Sequence, residues 1–272
     1  MNILILTDFS ITALHAGNYA VDLFRKTSAN FYLLNIQNLH FRGSPSSETL
    51  LEFKQLSEDQ IEKQALDLDS YSAQSLHKFF TIISEDNLVS ATRRYVNEKK
   101  IDLIVMGTSS SDFTSKSILG KHTPEIIQKI RCNILAVSDK SKFETPKRFV
   151  MPVDATLKIE SNMLQFINGD IFKELRGITI MEIGTPLLKY QKNTVLKEHF
   201  ACNKKSPNCN HVEYLKAAIL NEKLLTDIQD NYNMIVVLGK NLSVCNKLLN
   251  SYSGDRANKV NKLPVLVLHD TF

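Results

Sequence analysis

Residues Ile101–Asp139 read IDLIVMGTSSSDFTSKSILGKHTPEIIQKIRCNILAVSD, and the reading of this stretch decides the fold. It opens on the apolar run Leu103-Ile104-Val105-Met106, which stops at Gly107. A short run rich in branched residues and ended by glycine predicts a strand buried on both faces, as in a parallel sheet. A loop of Ser and Thr follows as far as Gly120. Thr123-Pro124-Glu125 then predicts a helix start, with Thr as N-cap, Pro at the first helical position and an acid in the first turn. The helix is expected to end near Arg131, and Asn133–Val137 to form a second buried strand. Strand, glycine loop, helix and strand in that order leave free backbone N–H groups above the strand end, a geometry that attracts phosphate.

Upstream, Ile3–Leu6 predicts a strand that ends in Thr7-Asp8. Ser10 is a candidate N-cap, and Ala13, Gly17, Ala20, Val21 and Phe24 share one face of the helix after it. Phe31–Ile36 reads as the second strand. Ser46–Leu76 carries a helical pattern in Leu50, Phe53, Ile61, Ala65 and Leu68. Phe79–Ile83 is the third strand, and Leu88, Ala91, Tyr95 and Val96 mark the helix that leads back to the opening stretch. Strands and helices alternate throughout, so the expected class is α/β, an open parallel sheet with helices on both faces.

The chain then repeats this plan. Phe149–Asp154 answers Ile3–Asp8 at a displacement of 146 residues, and Ile178–Ile183 answers the second strand nearly as far on. His211–Leu215 and Met234–Gly239 answer Phe79–Ile83 and Asp102–Gly107 at 132, and Pro264–Asp270 answers Asn133–Asp139 at 131. The displacement changes once, so the second copy lacks about fourteen residues after its second strand. Two domains are expected, 1–143 and 144–272, joined around Lys140–Lys147 with Pro146. The second copy keeps Asp154 and Gly239 but has Leu242 where the loop should turn, and Ser251 opposite Gly120. A leucine there blocks close backbone approach to a phosphate.

The spacing Gly107-x2-Ser110-x9-Gly120, set between Met-Gly and a terminal Ile-Leu-Ala-Val strand, resembles the nucleotide loop of the universal stress protein family. The family pattern is Gly-x2-Gly-x9-Gly followed by Ser or Thr. Here Ser110 replaces the middle glycine and Lys121 the hydroxyl residue, while Thr123 matches a hydroxyl position of the ATP-binding members. The resemblance implies strand order 3-2-1-4-5 in each copy and a crevice where the order reverses, between strands one and four. Asp8 and Gly107 end those two strands. By the family pattern Asp8 bonds adenine or ribose, the backbone around Ile36 meets the adenine edge, and Met106 and Gly107 flank ribose and phosphate. Gly120, Lys121, His122 and Thr123 hold phosphate, with the two cations offsetting the loss of glycine at Ser110. ATP is the implied ligand, held in the first copy as a signal. No general base, water-positioning acid or Mg²⁺ carboxylate stands near the loop, so turnover is expected to be slow or absent. The alternative is a nucleotide-free scaffold acting through protein contacts.

Other classes fare worse. A net charge of +4 dispersed over 272 residues argues against nucleic acid. No apolar stretch reaches the ~18 residues of a membrane span. The N-terminus lacks a basic region and a cleavage site. A cytoplasmic protein with four reduced cysteines is expected. His199, Cys202, Cys209 and His211 are zinc-ligand types, but H-x2-C-x6-C-x-H is not a finger or ribbon spacing, and a polar loop explains them as well. Asp8, Ser10 and His15 make no hydrolytic set, because Ser10 reads as a helix cap and no Gly-x-Ser-x-Gly elbow exists. Ile134–Val137 and Val265–Leu268 are apolar on both faces and come last in each copy. An uncovered apolar edge strand invites aggregation, and in the family these strands lie at the dimer contact. The two copies are therefore expected to pack as an internal pseudo-dimer, with a homodimer of chains left open.

Overall fold

The computed structural model describes residues 1–37, 46–73, 76–108, 123–153, 161–183, 211–217, 222–240 and 262–269. Two compact units divide the chain, Met1–Gly107 and Thr108–Phe272.

The first unit holds β1 (Asn2–Thr7), α1 (Ile11–Leu23), β2 (Ala29–Ile36), α2 (Ser47–Ser72), β3 (His77–Ser84), α3 (Leu88–Glu98) and β4 (Leu103–Thr108, whose last residue opens the second unit). Its strands lie in the order β3-β2-β1-β4, all parallel. β1 is central and apolar on both sides, so Ile3, Leu4 and Ile5 are fully buried. Alternation along β2 separates the two faces: Phe31 meets Phe24 of α1, whereas Tyr32 lies under the Lys99 ammonium at the end of α3. Ser10 caps α1 by accepting from Ala13 N–H at 3.2 Å, and every residue expected on the inner face of α1 is buried. α1 and α2 touch where Leu68 lies against Gly17.

α2 departs from expectation. Ile61, Ala65 and Leu68 are buried, but Leu50 is half-buried and Phe53 is 46% exposed. No residue from Ser47 to Gln60 is buried, so the first half of this helix overhangs its sheet. In α3 the buried residues are Val89, Ala91 and Thr92, with Tyr95 and Val96 half-buried, and Asn87 supplies the cap.

The second unit holds α4 (Thr123–Lys129), β5 (Asn133–Ser138), β6 (Arg148–Val153), β7 (Gly177–Ile183), β8 (His211–Ala217), α5 (Glu222–Asn231), β9 (Met234–Leu238) and β10 (Val265–Leu268). α4 begins at Thr123 itself and is shorter than expected, ending at Lys129. The strands run β8-β7-β6-β9-β10-β5. Counted from β6, the first five give 3-2-1-4-5, and they are parallel. β10 then pairs antiparallel with β5, Val265 opposite Ala136 and Val267 opposite Ile134. Every residue of both strands is buried, so the two apolar strands cover each other. Between β6 and β7 two 3-10 segments, Ser161–Asn168 and Asp170–Phe172, stand where the repeat predicts an α-helix. Phe172 packs edge-on to Phe149 and Phe166 and closes that face. The expected shortening after β7 falls outside the described residues.

At the lower end of the first sheet His77 ties three elements together. Its Nε2 lies 3.1 Å from the Phe24 carbonyl and its Nδ1 2.6 Å from Ser72 Oγ, with Phe31 and Phe79 against the ring. The carbonyl can only accept, so Nε2 carries the proton and Ser72 donates to Nδ1. His77→Leu leaves Ser72 Oγ unmet in an apolar site, while the Phe24 carbonyl keeps the Thr27 N–H at 2.8 Å. We expect a loss of about 1–3 kcal/mol in urea unfolding, and an unchanged midpoint refutes this role.

Candidate functional site

β1 pairs with β4 so that Leu6 stands opposite Met106, and with β2 so that Thr7 stands opposite Asn35. Asp8, one residue past β1, Gly107, next to last in β4, and Ile36, last in β2, therefore lie at the same end of three adjacent strands, on one rim of the sheet. The strand order reverses between β1 and β4, which makes this rim the switch point of the unit.

The rim is polar and closely bonded. Asp8 is exposed, and its Oδ1 accepts from Ser10 N–H at 3.0 Å. Phe9 between them has φ 62°, the left-handed conformation a bulky residue seldom adopts. The Thr7 hydroxyl helps to hold that turn by accepting from Phe9 N–H at 3.1 Å. The same hydroxyl donates to Gln64 Oε1 of α2 at 2.7 Å, and Asn35 Nδ2 donates to the Thr7 carbonyl at 2.9 Å. One residue past Ile36, Gln37 donates its backbone N–H to the Ser84 carbonyl of β3. Its Nε2 lies 3.2 Å from both the Phe53 carbonyl and Ser57 Oγ of α2. Ile36 is half-buried and Met106 buried.

Gly107 has a packing reason to be glycine. A Cβ there would lie 2.6 Å from the Thr12 carbonyl oxygen and 2.9 Å from its Cγ2, in the first turn of α1. The end of β4 and the start of α1 thus meet backbone to backbone. In the second unit Thr123 is 2% exposed at the head of α4, whose Glu125 and Lys129 pair at 2.7 Å. Ser110, Gly120, Lys121 and His122 lie outside the described residues, as do Asp154, Leu242 and Ser251. His199, Cys202 and Cys209 also lie outside them, and His211 is the first residue of β8. Thr7, Asn35, Gln37 and Gln64 did not emerge from the sequence. Their signal was available in Asn35 and Gln37, two amides at alternate positions on the buried face of β2.

A parallel α/β sheet with a polar rim at its switch point defines a class of proteins that carry ligand sites on such rims. Within that class the chain belongs to the universal stress protein family, which residues 1–138 match. Universal stress protein MJ0531 of Methanocaldococcus jannaschii is 23% identical over 141 residues, covering 52% of this chain and 83% of that protein. The crystal structure of a universal stress protein from Archaeoglobus fulgidus shares the fold over 99% of this chain and 98% of its own, with TM-score 0.71 and 14% identity. A functionally unknown protein from Pseudomonas aeruginosa PAO1 shares it with TM-score 0.52 and 13% identity, over 99% of this chain and 92% of its own.

The close approach at Gly107 makes a ranked prediction. Gly107→Ala sets a methyl against main chain and should cost about 1–3 kcal/mol. Gly17→Ala meets only the Leu68 side chain, at 3.1 Å, and gains helix propensity, so it should cost less. Thermal melts of the two variants in the reverse order refute the packing account.

Proposed function

We propose that the first half of this chain binds an adenine nucleotide, with ATP as the ligand of choice, and acts as a sensor. The observation that carries the reading is the coincidence of the family match over residues 1–138 with Asp8 and Gly107 ending adjacent strands. In this reading Asp8 and the backbone at Ile36 take the base and ribose, and Met106 and Gly107 flank the sugar and phosphates. Gly120 to Thr123 bind phosphate, with Lys121 supplying positive charge and His122 beside it, offsetting the loss of glycine at Ser110. The sequence around the loop suggests no general base or water-positioning acid, and we expect hydrolysis to be slow or absent.

The reading takes the chain as two like domains, 1–143 and 144–272, the second having lost its loop chemistry. Supporting it are the strand order from β6 to β10 and the antiparallel β5–β10 pair, a pairing that fits an internal pseudo-dimer of the two copies. No helix among the described residues is long and apolar enough to cross a membrane, and we assign the protein to the cytoplasm.

Calorimetric titration of ATP into the full chain tests the reading, with Gly120→Val as control. We expect one site per chain in the wild type and none in the variant. No heat at millimolar ATP removes the binding claim and leaves the nucleotide-free scaffold, acting through protein contacts, as the function.

A further inference from the structure

We infer that Gln37 and Gln64 read the base of the bound nucleotide, Gln37 selecting a base with an exocyclic amino group; this rests on the nucleotide reading above. Both side chains are 7% exposed. Each leaves one polar atom without a hydrogen-bond partner, Oε1 of Gln37 and Nε2 of Gln64. Buried amide atoms are nearly always paired, so two unmet ones on a single rim call for an explanation.

The two amides differ in freedom. Gln37 cannot turn over without setting Oε1 3.2 Å from the Phe53 carbonyl oxygen, acceptor against acceptor. Its unmet atom is thus a fixed acceptor. Gln64 bonds to the Thr7 hydroxyl, which can donate or accept. Either way round, one of its atoms stays unmet, and it offers a donor or an acceptor as the ligand requires.

Position matches this chemistry. Gln37 follows Ile36 directly, and Gln64 bonds to the residue before Asp8, so the unmet atoms belong to side chains at the two strand ends assigned to the base. A fixed acceptor matches the 6-amino group of adenine. Hypoxanthine places an oxo group there, acceptor against acceptor. Gln64 then donates to a neighbouring ring nitrogen, the donor–acceptor pairing by which amide side chains recognise adenine.

The test is calorimetric titration of ATP and ITP into the full chain, as wild type, Gln37→Met and Gln64→Met, with urea unfolding alongside. Methionine keeps length and removes the amide. We expect wild type to favour ATP over ITP by about tenfold, one neutral hydrogen bond. Gln37→Met should bring the ratio to near one. Gln64→Met should weaken ATP by about fivefold, the loss of one hydrogen bond, and it decides the matter if Gln37→Met does not fold. Wild type that binds ATP while both variants keep its affinity and selectivity overturns the inference and leaves the nucleotide reading intact. Wild type that binds neither nucleotide overturns both.

Discussion

The first unit depends on the register of its central strand, and a single side chain sets that register at the end opposite the site. Asn2 donates its backbone N–H to Asp102 Oδ2 at 2.8 Å and its Nδ2 to the Lys99 carbonyl at 2.7 Å. Its Oδ1 accepts from Asn30 Nδ2 at 2.9 Å. The Asp102 backbone N–H returns a bond to the Asn2 carbonyl at 2.8 Å. One residue thereby ties β1 to both neighbours before the apolar run begins. Parallel strands rich in Ile, Leu and Val have little else to specify pairing, because their side chains are alike on both faces. A slip of one residue would exchange the faces of β1 and take Thr7 away from Gln64. The polar rim is therefore placed by a polar clamp six residues upstream, with the greasy middle of the strand transmitting position between them.

That division explains what the chain alone made legible. The apolar runs ending at Asp8, Ile36 and Gly107 announced β1, β2 and β4, and a two-residue spacing error would have shown in the repeat. The cap at Ser10 was equally plain, since a hydroxyl before a run of Ala at helical spacing has one obvious use. The overhang of α2 was not legible. Periodicity reports which residues share a face, and nothing in Leu50 or Phe53 tells how far the sheet beneath extends. The 3-10 segments of the second unit were hidden for a related reason. The apolar content of Leu164, Ile167 and Phe172 suits either kind of helix, and periodicity does not tell them apart over so short a stretch.

The candidate site was legible at its rim and illegible behind it. Asp8 and Gly107 stand out because an acid and a glycine interrupt apolar strands. Gln64 does not, lying in a helix full of Glu, Asp, Lys and Gln, where one more amide carries no signal. Only the fold shows that it is the one facing Thr7. Sequence reading finds polar residues that break an apolar pattern. It misses those that sit in a polar pattern and happen to face inward.

The two strand-end glycines show why a glycine by itself is weak evidence for a phosphate site. At Gly107 the space a side chain would take belongs to the Thr12 backbone, the first turn of α1. At Gly239, its counterpart in the repeat, a Cβ would fall 2.3 Å from Cε1 of His269, the residue that follows β10. His269 is held there in part by its own backbone N–H, which donates to Asn133 Oδ1 at 3.1 Å. The same residue is thus required at both places by different neighbours, and in the second unit that neighbour is an imidazole lying across the strand end. Packing accounts for both glycines without a ligand. Around Gly107 stand an exposed acid at Asp8, a strained turn at Phe9 and unmet amides at Gln37 and Gln64, while at Gly239 a ring fills the position. A glycine at a strand end therefore argues for a ligand only in company, as at the first rim, where it stands beside Asp8 in a stretch that matches the family.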